Sequence, residues 1–309
     1  MRAHWSSFDV ALVTASTFPE CLPDEQLLAD ALAARGLKAG PVIWDEPTVD
    51  WSRFRLALIR TAWDSDARRD EFVAWADRAG AHCPLWNPPE VLRWNTHKGY
   101  LRELEARGVP TVPTAWMGRG SKSDVKALLA ERGWTDAVVK PAVSAGARDT
   151  LRVRRPEDLP AAQALVERVL PHKDMMVQPY LASVESYGER SILFLGGEHT
   201  HAIKRPPALS GNPGYDATAA EPTPSSEDER AFAQQVIAAT GFELLYARVD
   251  VARDERGGLR LMELEITEPN LFLRQGGPRA VERLADAIVH KVQGRGPDST
   301  PATVRSTSR

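Results

Sequence analysis

The sequence has little cysteine and no long apolar run. Its two cysteines, Cys21 and Cys83, form neither a CxxC metal motif nor the basis of a disulfide framework. No window approaches 18 consecutive apolar residues, so we expect no membrane-spanning helix. The N-terminal residues lack a basic segment followed by an apolar core, so no secretory signal is predicted. These absences favour a protein of the reducing cytoplasm that does not act at a membrane.

The sequence also lacks a strong charge of either sign. It has 39 Lys and Arg against 42 Asp and Glu, a net charge of −3. Proteins that bind nucleic acid electrostatically normally show a basic face, so we expect no nucleic-acid partner. Hydrophobic residues make up 43% of the chain, which is typical of a globular protein. A length of 309 residues predicts about two domains, or three small ones.

The first 96 residues alternate short apolar runs with helical patterns. This alternation predicts parallel βαβ units and a doubly wound α/β domain over residues 1–96. The predicted strands lie at 10–13, 42–44 and 56–59, and the predicted helices lie at 24–35 and 66–79. The Pro-Pro pair at 88–89 is interpreted as a break.

The rest of the chain has a different texture. Residues 97–180 predict a central α+β domain that begins with a helix over 97–107, and residues 181–293 predict a domain of longer strands ending in a helix at about 278–292. The Pro- and Gly-rich stretch 206–224 is interpreted as a mobile lid or a flexible connection. The Gly-, Pro- and Ser-rich residues 294–309 predict a disordered tail.

The most informative segment is a predicted β-hairpin with three acids. Glu263 and Glu265 are two residues apart on an apolar strand, so their side chains share one face. Residues 254–258 have a turn composition. If the hairpin centres between residues 256 and 257, Asp250 lies directly opposite Glu263. Three carboxylates then converge on one patch.

Such a patch needs a compensating charge. Like charges directly opposite each other destabilise a sheet, and Mg²⁺ is commonly held by carboxylates together with substrate phosphates. The alternative is a solvated strand face on which Arg248 or Arg260 neutralises the acids. Arg248 is two residues before Asp250 and shares its face. A cation beside a metal site favours a phosphate ligand for both.

Two lysines and a crossover segment complete the pattern. Lys140 ends a buried strand and precedes a loop of small residues at 142–149, whose backbone N–H groups could approach a phosphate. Lys98 opens the predicted helix, and the alternative for both lysines is an ordinary surface position. The segment 175–181, followed by Glu185, suits an adenine and its ribose, or else a plain interdomain crossover. The loop lacks the GxxxxGK[ST] pattern, which excludes a P-loop.

Together these elements resemble the ATP-grasp superfamily of carboxylate–amine ligases, in the manner of glutathione synthetase and D-alanine–D-alanine ligase. The resemblance covers residues 97–276. It implies an ATP-grasp fold with an N-terminal doubly wound domain, a central lid domain and a C-terminal antiparallel-sheet domain. It implies nucleotide contacts at Lys98, Lys140, Ser144, Gln178, Pro179, Tyr180, Leu181 and Glu185. The match places adenine at the hinge segment 178–181 and the ribose at Glu185.

The resemblance also implies the metal and the catalytic groups. Asp250, Glu263 and Glu265 match the Mg²⁺ ligands, with Glu265 in place of the usual Asn. Two ions are implied, with Mn²⁺ as a substitute. Lys204 matches the cation that reaches the γ-phosphate, and Arg248 matches the arginine that steadies the reacting phosphate. A small carboxylate is the expected substrate, and a homodimer is compatible with the family.

Substrate contacts are expected where the C-terminal hairpin faces the ends of the N-terminal strands. The candidates are Arg60, Glu268, Asn270 and Arg274. The alternative for Arg60 is a salt bridge to Asp64 or Asp66.

The resemblance implies that the carboxylate becomes an acyl phosphate that a nitrogen attacks. Segments at 60–64, 94–98 and 263–270 resemble a branch that closes O-ureido-D-serine into a ring. The alternatives are ligation of two separate molecules and nucleotide binding without turnover.

Overall fold

The N-terminal part forms a parallel sheet in the computed structural model, which describes residues 4–207, 209 and 219–294. The strand order is β2-β1-β3-β4. Its elements are β1 (Val10–Thr14), α1 (Pro23–Ala33), β2 (Ala39–Ile43), β3 (Leu56–Thr61), α2 (Arg69–Gly80), β4 (Leu85–Trp86) and α3 (Pro89–Asn95). The predicted parallel βαβ arrangement is confirmed.

The central part forms an antiparallel sheet of order β5-β8-β6-β7. Its elements are α4 (Tyr100–Ala106), β5 (Ala115–Met117), α5 (Val125–Arg132), β6 (Ala137–Pro141), β7 (Leu151–Val153), α6 (Leu159–Val169) and β8 (Met175–Pro179). Apolar side chains of this sheet and of α5 and α6 form a separate hydrophobic core. The central part therefore has a core of its own.

The C-terminal part forms an antiparallel sheet of order β11-β10-β9-β12-β13. Its elements are β9 (Glu189–Leu195), β10 (Glu198–Arg205), β11 (Glu221–Pro222), α7 (Glu227–Thr240), β12 (Tyr246–Arg253), β13 (Leu259–Glu265) and α8 (Leu273–Gln293). The long central strands β9 and β12 are almost wholly buried because they are covered on both faces.

The N-terminal and C-terminal parts share hydrophobic cores. Leu28 and Leu32 of α1 belong to the same buried cluster as Leu284 and Ile288 of α8. Burial of each such side chain contributes about 1.5–3 kcal/mol, so this contact fixes the two parts against each other. Asn87, which is fully buried, adds hydrogen bonds to the backbone of residues 245, 246 and 266. The end of β4 is thereby held beside the start of β12 and the end of β13.

Two predicted helices differ from the observed ones. The Pro88–Pro89 pair, interpreted as a break, instead starts α3, because proline is well tolerated at the first helical position. The helix expected over 97–107 accordingly begins later, at Tyr100. The last helix begins at Pro278 as predicted, but a short helical segment from Leu273 precedes it across a kink at the non-helical Gly277.

Several predictions lie outside the described residues. They concern most of the 206–224 segment and the tail after Gly294. The domain boundaries at 96, 180 and 293 stay predictions. Among the helices that the structure describes, none has the length and apolar character needed to cross a membrane. Within the described part of the chain, neither cysteine takes part in a disulfide bond.

Candidate active site

The hairpin β12–β13 brings its acids together as predicted, but by a different route. Asp250 pairs with Glu263, which confirms the expected partners. The turn, however, centres on Arg256, since Arg253 lies opposite Leu259. The extra residue Met262 then shifts the register just before Asp250. This irregularity, which sequence patterning did not reveal, sets the acids opposite each other.

The three acids form one compact cluster. Ligand oxygens of Asp250, Glu263 and Glu265 all lie within 4.8 Å of one another. Asp250 is 2% exposed and accepts a hydrogen bond from Ser191 Oγ at 2.7 Å. The side chains of Glu263 and Glu265 are 26% and 34% exposed. The ligand atoms that the three acids offer are all carboxylate oxygens. Mg²⁺ prefers oxygen ligands, so these residues fit that ion.

Arg248 bridges two of these acids. Its Nε lies 3.0 Å from Asp250 Oδ1, and its Nη2 lies 2.6 Å from Glu265 Oε1. Burial would raise the pKa of Asp250, but Arg205 and Arg248 outweigh it and lower that pKa. Burial dominates at Glu265 and raises its pKa, although Arg248 opposes it. The alternative of Arg248 as partner to the acids is thus observed, within a half-buried cluster rather than on a solvated face.

Both predicted phosphate lysines point at the same carboxylate oxygen. Glu263 Oε1 lies 3.5 Å from Lys98 Nζ and 3.3 Å from Lys140 Nζ. Burial would raise the pKa of Glu263, but Lys98 and Lys140 hold it at about 2. The two side chains are 12% and 14% exposed, which rules out the surface alternative for each. Lys98 Nζ also donates to Ser144 O at 2.8 Å, which connects it to the small-residue loop.

The small-residue loop touches the N-terminal part through Asp66, a contact not foreseen from the sequence. The backbone N–H of Ala145 donates to Asp66 Oδ2 at 3.2 Å, and Arg148 Nη1 lies 3.1 Å from the same atom. Asp66 is 9% exposed. A carboxylate here receives the kind of donors that a phosphate would use.

The predicted adenine segment ends β8 and is organised by an arginine that sequence reasoning missed. Arg152 lies 3.2 Å from the centre of the Tyr180 ring and pairs with Glu185 at 3.0 Å. The Tyr180 hydroxyl donates a hydrogen bond to Glu185 at 2.5 Å. This hydrogen bond and the one from Arg152 both lower the pKa of Glu185. Gln178 Nε2 donates to Thr114 Oγ1. Pro179 and Leu181 flank Tyr180, so the whole predicted segment lies together.

Lys204 is not brought to the acids, whereas its neighbour Arg205 is. Successive side chains of a strand point to opposite faces. Lys204 Nζ donates to the carbonyl of Ser186 at 3.1 Å. Arg205 Nη2 lies 2.9 Å from Asp250 Oδ2, and Arg205 is 8% exposed. The register of β10 against β9 decides which of the two residues faces Asp250, and the sequence does not reveal that register.

Arg60 is buried at the end of β3, beside the acid cluster. Its Nη2 lies 3.2 Å from Glu25 Oε1 and 3.4 Å from the carbonyl oxygen of Pro269. The alternative pairing with Asp64 or Asp66 is wrong, because Glu25 in the first turn of α1 supplies the carboxylate.

The other substrate candidates divide into two groups. Glu268 Oε1 accepts a bond from Ser65 Oγ at 2.7 Å, and burial raises its pKa to about 7. The carbonyl of Asn270 accepts a bond from Arg248 Nη1, so both residues border the cluster. Arg274 is exposed at the start of α8, and only its backbone N–H contact to Asp24 is seen.

Three of the histidines make polar contacts with neighbouring groups. His97 Nε2 lies 3.3 Å from Asp174, and His199 Nε2 lies 3.1 Å from Ser225 Oγ. His201 Nε2 lies 3.0 Å from the carbonyl oxygen of Leu271.

The fold and this cluster define an ATP-grasp ligase. The structure is similar to that of the ATP-grasp ligase PsnB, solved with a minimal precursor, Mg and ADP, with a TM-score of 0.60, 18% identity and coverage of 92% of this chain and 98% of that one. This confirms the predicted ATP-grasp fold. ATP and Mg²⁺ are the cofactors of the class.

Closer similarities identify the family. A family model described as the N-terminal domain of D-cycloserine synthetase DcsG matches residues 10–87. The chain is 31% identical over 298 residues to the cycloserine biosynthesis protein DcsG of Streptomyces lavendulae, covering 90% of this chain and 98% of that protein. The crystal structure of D-cycloserine synthetase DcsG matches with a TM-score of 0.83, 30% identity and coverage of 92% and 99%. The chain belongs to the DcsG family of ATP-grasp ligases.

Proposed function

We propose that this enzyme uses ATP to convert the carboxylate of a small amino-acid-like substrate into an acyl phosphate, and that a nitrogen of the same molecule then closes a ring. The proposed substrate is O-ureido-D-serine and the proposed product is D-cycloserine. The observation that carries the proposal is the meeting of three acids and two lysines at one point. The similarity to D-cycloserine synthetase supports the ring closure.

Each residue of the site has a proposed task. Asp250, Glu263 and Glu265 would hold Mg²⁺, which supplies positive charge to the β- and γ-phosphates; two ions are proposed, and Mn²⁺ is the proposed substitute. Lys98 and Lys140 neutralise phosphate oxygens from the opposite side. Catalysis of this kind rests on positioning and charge neutralisation, so no nucleophilic side chain is required.

The reaction balances as two displacements and one hydrolysis. The substrate carboxylate oxygen attacks the γ-phosphorus, and the bond to the β-phosphate oxygen breaks, which releases ADP. The N–H nitrogen of the ureido group then attacks the acyl carbon, a C–N bond forms, that nitrogen loses its proton, and inorganic phosphate leaves. The ring nitrogen still carries the carbamoyl group, which water removes as CO2 and NH3 to give D-cycloserine. Arg248 is placed to donate to the transferring group, because its guanidinium lies inside the cluster.

The nucleotide is proposed to lie between the central and C-terminal sheets. Gln178, Pro179, Tyr180 and Leu181 border the proposed adenine site, and Glu185 faces the ribose. Ser144 belongs to the proposed phosphate loop. Arg60, Glu268, Asn270 and Arg274 stay proposed substrate contacts, of which Arg274 is the least supported because it is exposed.

Two cations compete for the role at the γ-phosphate. Lys204 can take this role only after its ammonium leaves the carbonyl of Ser186, whereas Arg205 already contacts Asp250. The homodimer and the cytoplasmic location stay predictions.

Product analysis tests the proposal. Purified enzyme is incubated with Mg-ATP and O-ureido-D-serine, and ADP is followed together with product mass. We expect ADP formation that requires both Mg²⁺ and substrate, and a product whose mass corresponds to the ring. A product that joins two molecules would instead support intermolecular ligation. Absence of ADP formation with a panel of amino acids and ureido or aminooxy analogues would contradict the proposed turnover.

A further inference from the structure

Four of the buried side-chain atoms without a hydrogen-bond partner among the described residues lie at one corner of the site. They are Arg60 Nε, Arg60 Nη1, Glu25 Oε2 and Glu268 Oε2. Arg60 is 1% exposed and Glu25 is 3% exposed. Buried polar groups are almost always hydrogen-bonded, and leaving one unpaired is unfavourable by about as much as a lost hydrogen bond. This corner therefore has donors and acceptors to offer to a ligand.

The ion pair between Arg60 and Glu25 does more than stabilise the fold. Arg60 Nη2 lies 3.2 Å from Glu25 Oε1, a single contact, although a guanidinium and a carboxylate can bond through two parallel contacts. The neighbouring Asp24 has the structural task, since its carboxylate accepts bonds from the backbone N–H groups of Leu273 and Arg274 and so joins α1 to α8. Glu25 is left with one oxygen directed elsewhere.

The pair also lies next to the reacting groups. Arg60 contacts the carbonyl oxygen of Pro269, and Arg248 contacts the carbonyl oxygen of the next residue, Asn270. Adjacent residues are about 3.8 Å apart. A small molecule whose carboxylate lies at Arg248 and the metal ligands can therefore reach Arg60 and Glu25 with its other end.

The charges and orphan atoms restrict what that end can be. The pair is neutral overall and offers two N–H donors from Arg60 and one acceptor oxygen from Glu25. The fourth unpaired atom, Glu268 Oε2, belongs to a carboxyl group whose other oxygen already accepts a hydrogen bond from Ser65. A second carboxylate would meet Glu25 with like charge, and an ammonium group would meet Arg60 with like charge. A neutral planar group with a carbonyl oxygen beside an N–H group satisfies both.

We propose that Glu25 and Arg60 form a specificity site for a carbamoyl-type group, a urea or a carboxamide, at the end of the substrate's side chain. The carbonyl oxygen accepts from Arg60, and the N–H group donates to Glu25. This inference rests on the proposed function for the position of the carboxylate, and it names the chemistry of the substrate's other end.

Two matched probes test it. O-carbamoyl-D-serine and O-acetyl-D-serine have nearly the same shape but differ by an amino group in place of a methyl group. Calorimetry in the presence of Mg-ADP measures the dissociation constant of each. A site built to bond an N–H group rejects an analogue that lacks it, so we expect the wild-type enzyme to prefer the carbamoyl probe by about 10-fold or more. Equal affinities would overturn the proposal.

Variants show whether Glu25 is the origin of that preference. Glu25→Gln should reduce the ratio of dissociation constants to about twofold or less, mainly through weaker binding of the carbamoyl probe. The control is Glu282→Gln, which removes a carboxylate from the exposed ion pair with Arg35 and should keep the ratio. A Glu25→Gln protein that keeps the full preference contradicts the assignment. If circular dichroism shows it unfolded, Glu25→Asp, which withdraws the carboxylate by one methylene, must lower the ratio.

The two proposals fail separately. A carbamoyl preference without ADP formation from any substrate would refute the proposed turnover and leave the specificity site standing. Ring closure with equal binding of the two probes would do the reverse.

Discussion

The change Glu263→Gln separates the metal role of the acid cluster from its role in stability. Glutamine has the shape of a protonated glutamate, so the variant removes one negative charge and little volume. In the structure that charge lies 3.3 and 3.5 Å from two ammonium groups. Each attraction is about 5 kcal/mol at an effective dielectric constant of 20, and repulsion from the other two acids opposes it.

The net effect on folding is smaller than those gross terms. Lys98 and Lys140 outweigh the effect of burial and lower the pKa of Glu263 from 4.5 to about 2. At neutral pH this shift corresponds to about 3 kcal/mol of stability, which the neutral glutamine gives up. We therefore expect a folded variant whose free energy of unfolding, measured in urea, is lower by up to about 3 kcal/mol.

The functional effect should be much larger. With one of three ligands gone, Mg²⁺-dependent ADP formation should fall on the order of 100-fold or more. Metal-free ATP should bind at least as well as before, because the two lysines no longer face a carboxylate. Calorimetric titrations with ATP in excess EDTA and with Mg-ATP measure the affinity for metal-free ATP and the affinity for Mg-ATP separately.

A matched control lies on the same hairpin. Asp254 is paired with Arg260 in the turn, and asparagine can keep its bonds to the turn backbone. Asp254→Asn should leave both nucleotide titrations unchanged. If Glu263→Gln kept the wild-type Mg²⁺ dependence, Glu263 would not be a metal ligand. The inference of a metal site from the meeting of the three acids would then be refuted.

Four further changes test other parts of the structure. Lys140→Ala should raise the dissociation constant of ATP about 10-fold or more, and an unchanged value would contradict its phosphate role. Arg205→Ala should reduce ADP formation more than Lys204→Ala, and the reverse order would restore the sequence-based assignment. Asn87→Ala should lower the free energy of unfolding by about 3–5 kcal/mol, because it leaves three buried backbone groups unpaired; a loss below 1 kcal/mol would be evidence against this. Burial lowers the pKa of His201 from 6.5 to about 4, so the unfolded state binds the proton first as pH falls. Stability should decline by up to about 3 kcal/mol between pH 6.5 and 4 in urea titrations, and His201→Gln should flatten that decline.

The predictions from the sequence were most accurate where the positions of charged residues follow a short, regular spacing. Period-two spacing put Glu263 and Glu265 on one face, and a turn composition placed Asp250 opposite. The pairing was correct although the assumed centre of the turn was not. The bulge at Met262 shifts the register by one residue, which restores the predicted pairing. No residue preference in the sequence indicates this bulge.

Helix boundaries were less predictable. The prolines at 88 and 89 were interpreted as a break, but they begin α3. Proline both ends and starts helices, and only the surrounding packing decides which effect prevails. The strands and helices of the first 80 residues fall close to their predicted positions, because each has a clear apolar pattern.

Residue type and local spacing were enough to predict the parallel α/β arrangement of the N-terminal part and the meeting of the three acids, because both signals are local. The ATP-grasp fold and the roles of Lys98 and Lys140 came instead from the resemblance to that superfamily. The side chains that complete the site are seen only once the chain is packed. Arg60 meets Glu25 rather than its neighbours in the chain, and Arg205 rather than Lys204 reaches the acids. Such contacts depend on how helices and sheets distant in sequence pack together, and burial then fixes which groups find partners and which stay available for a ligand.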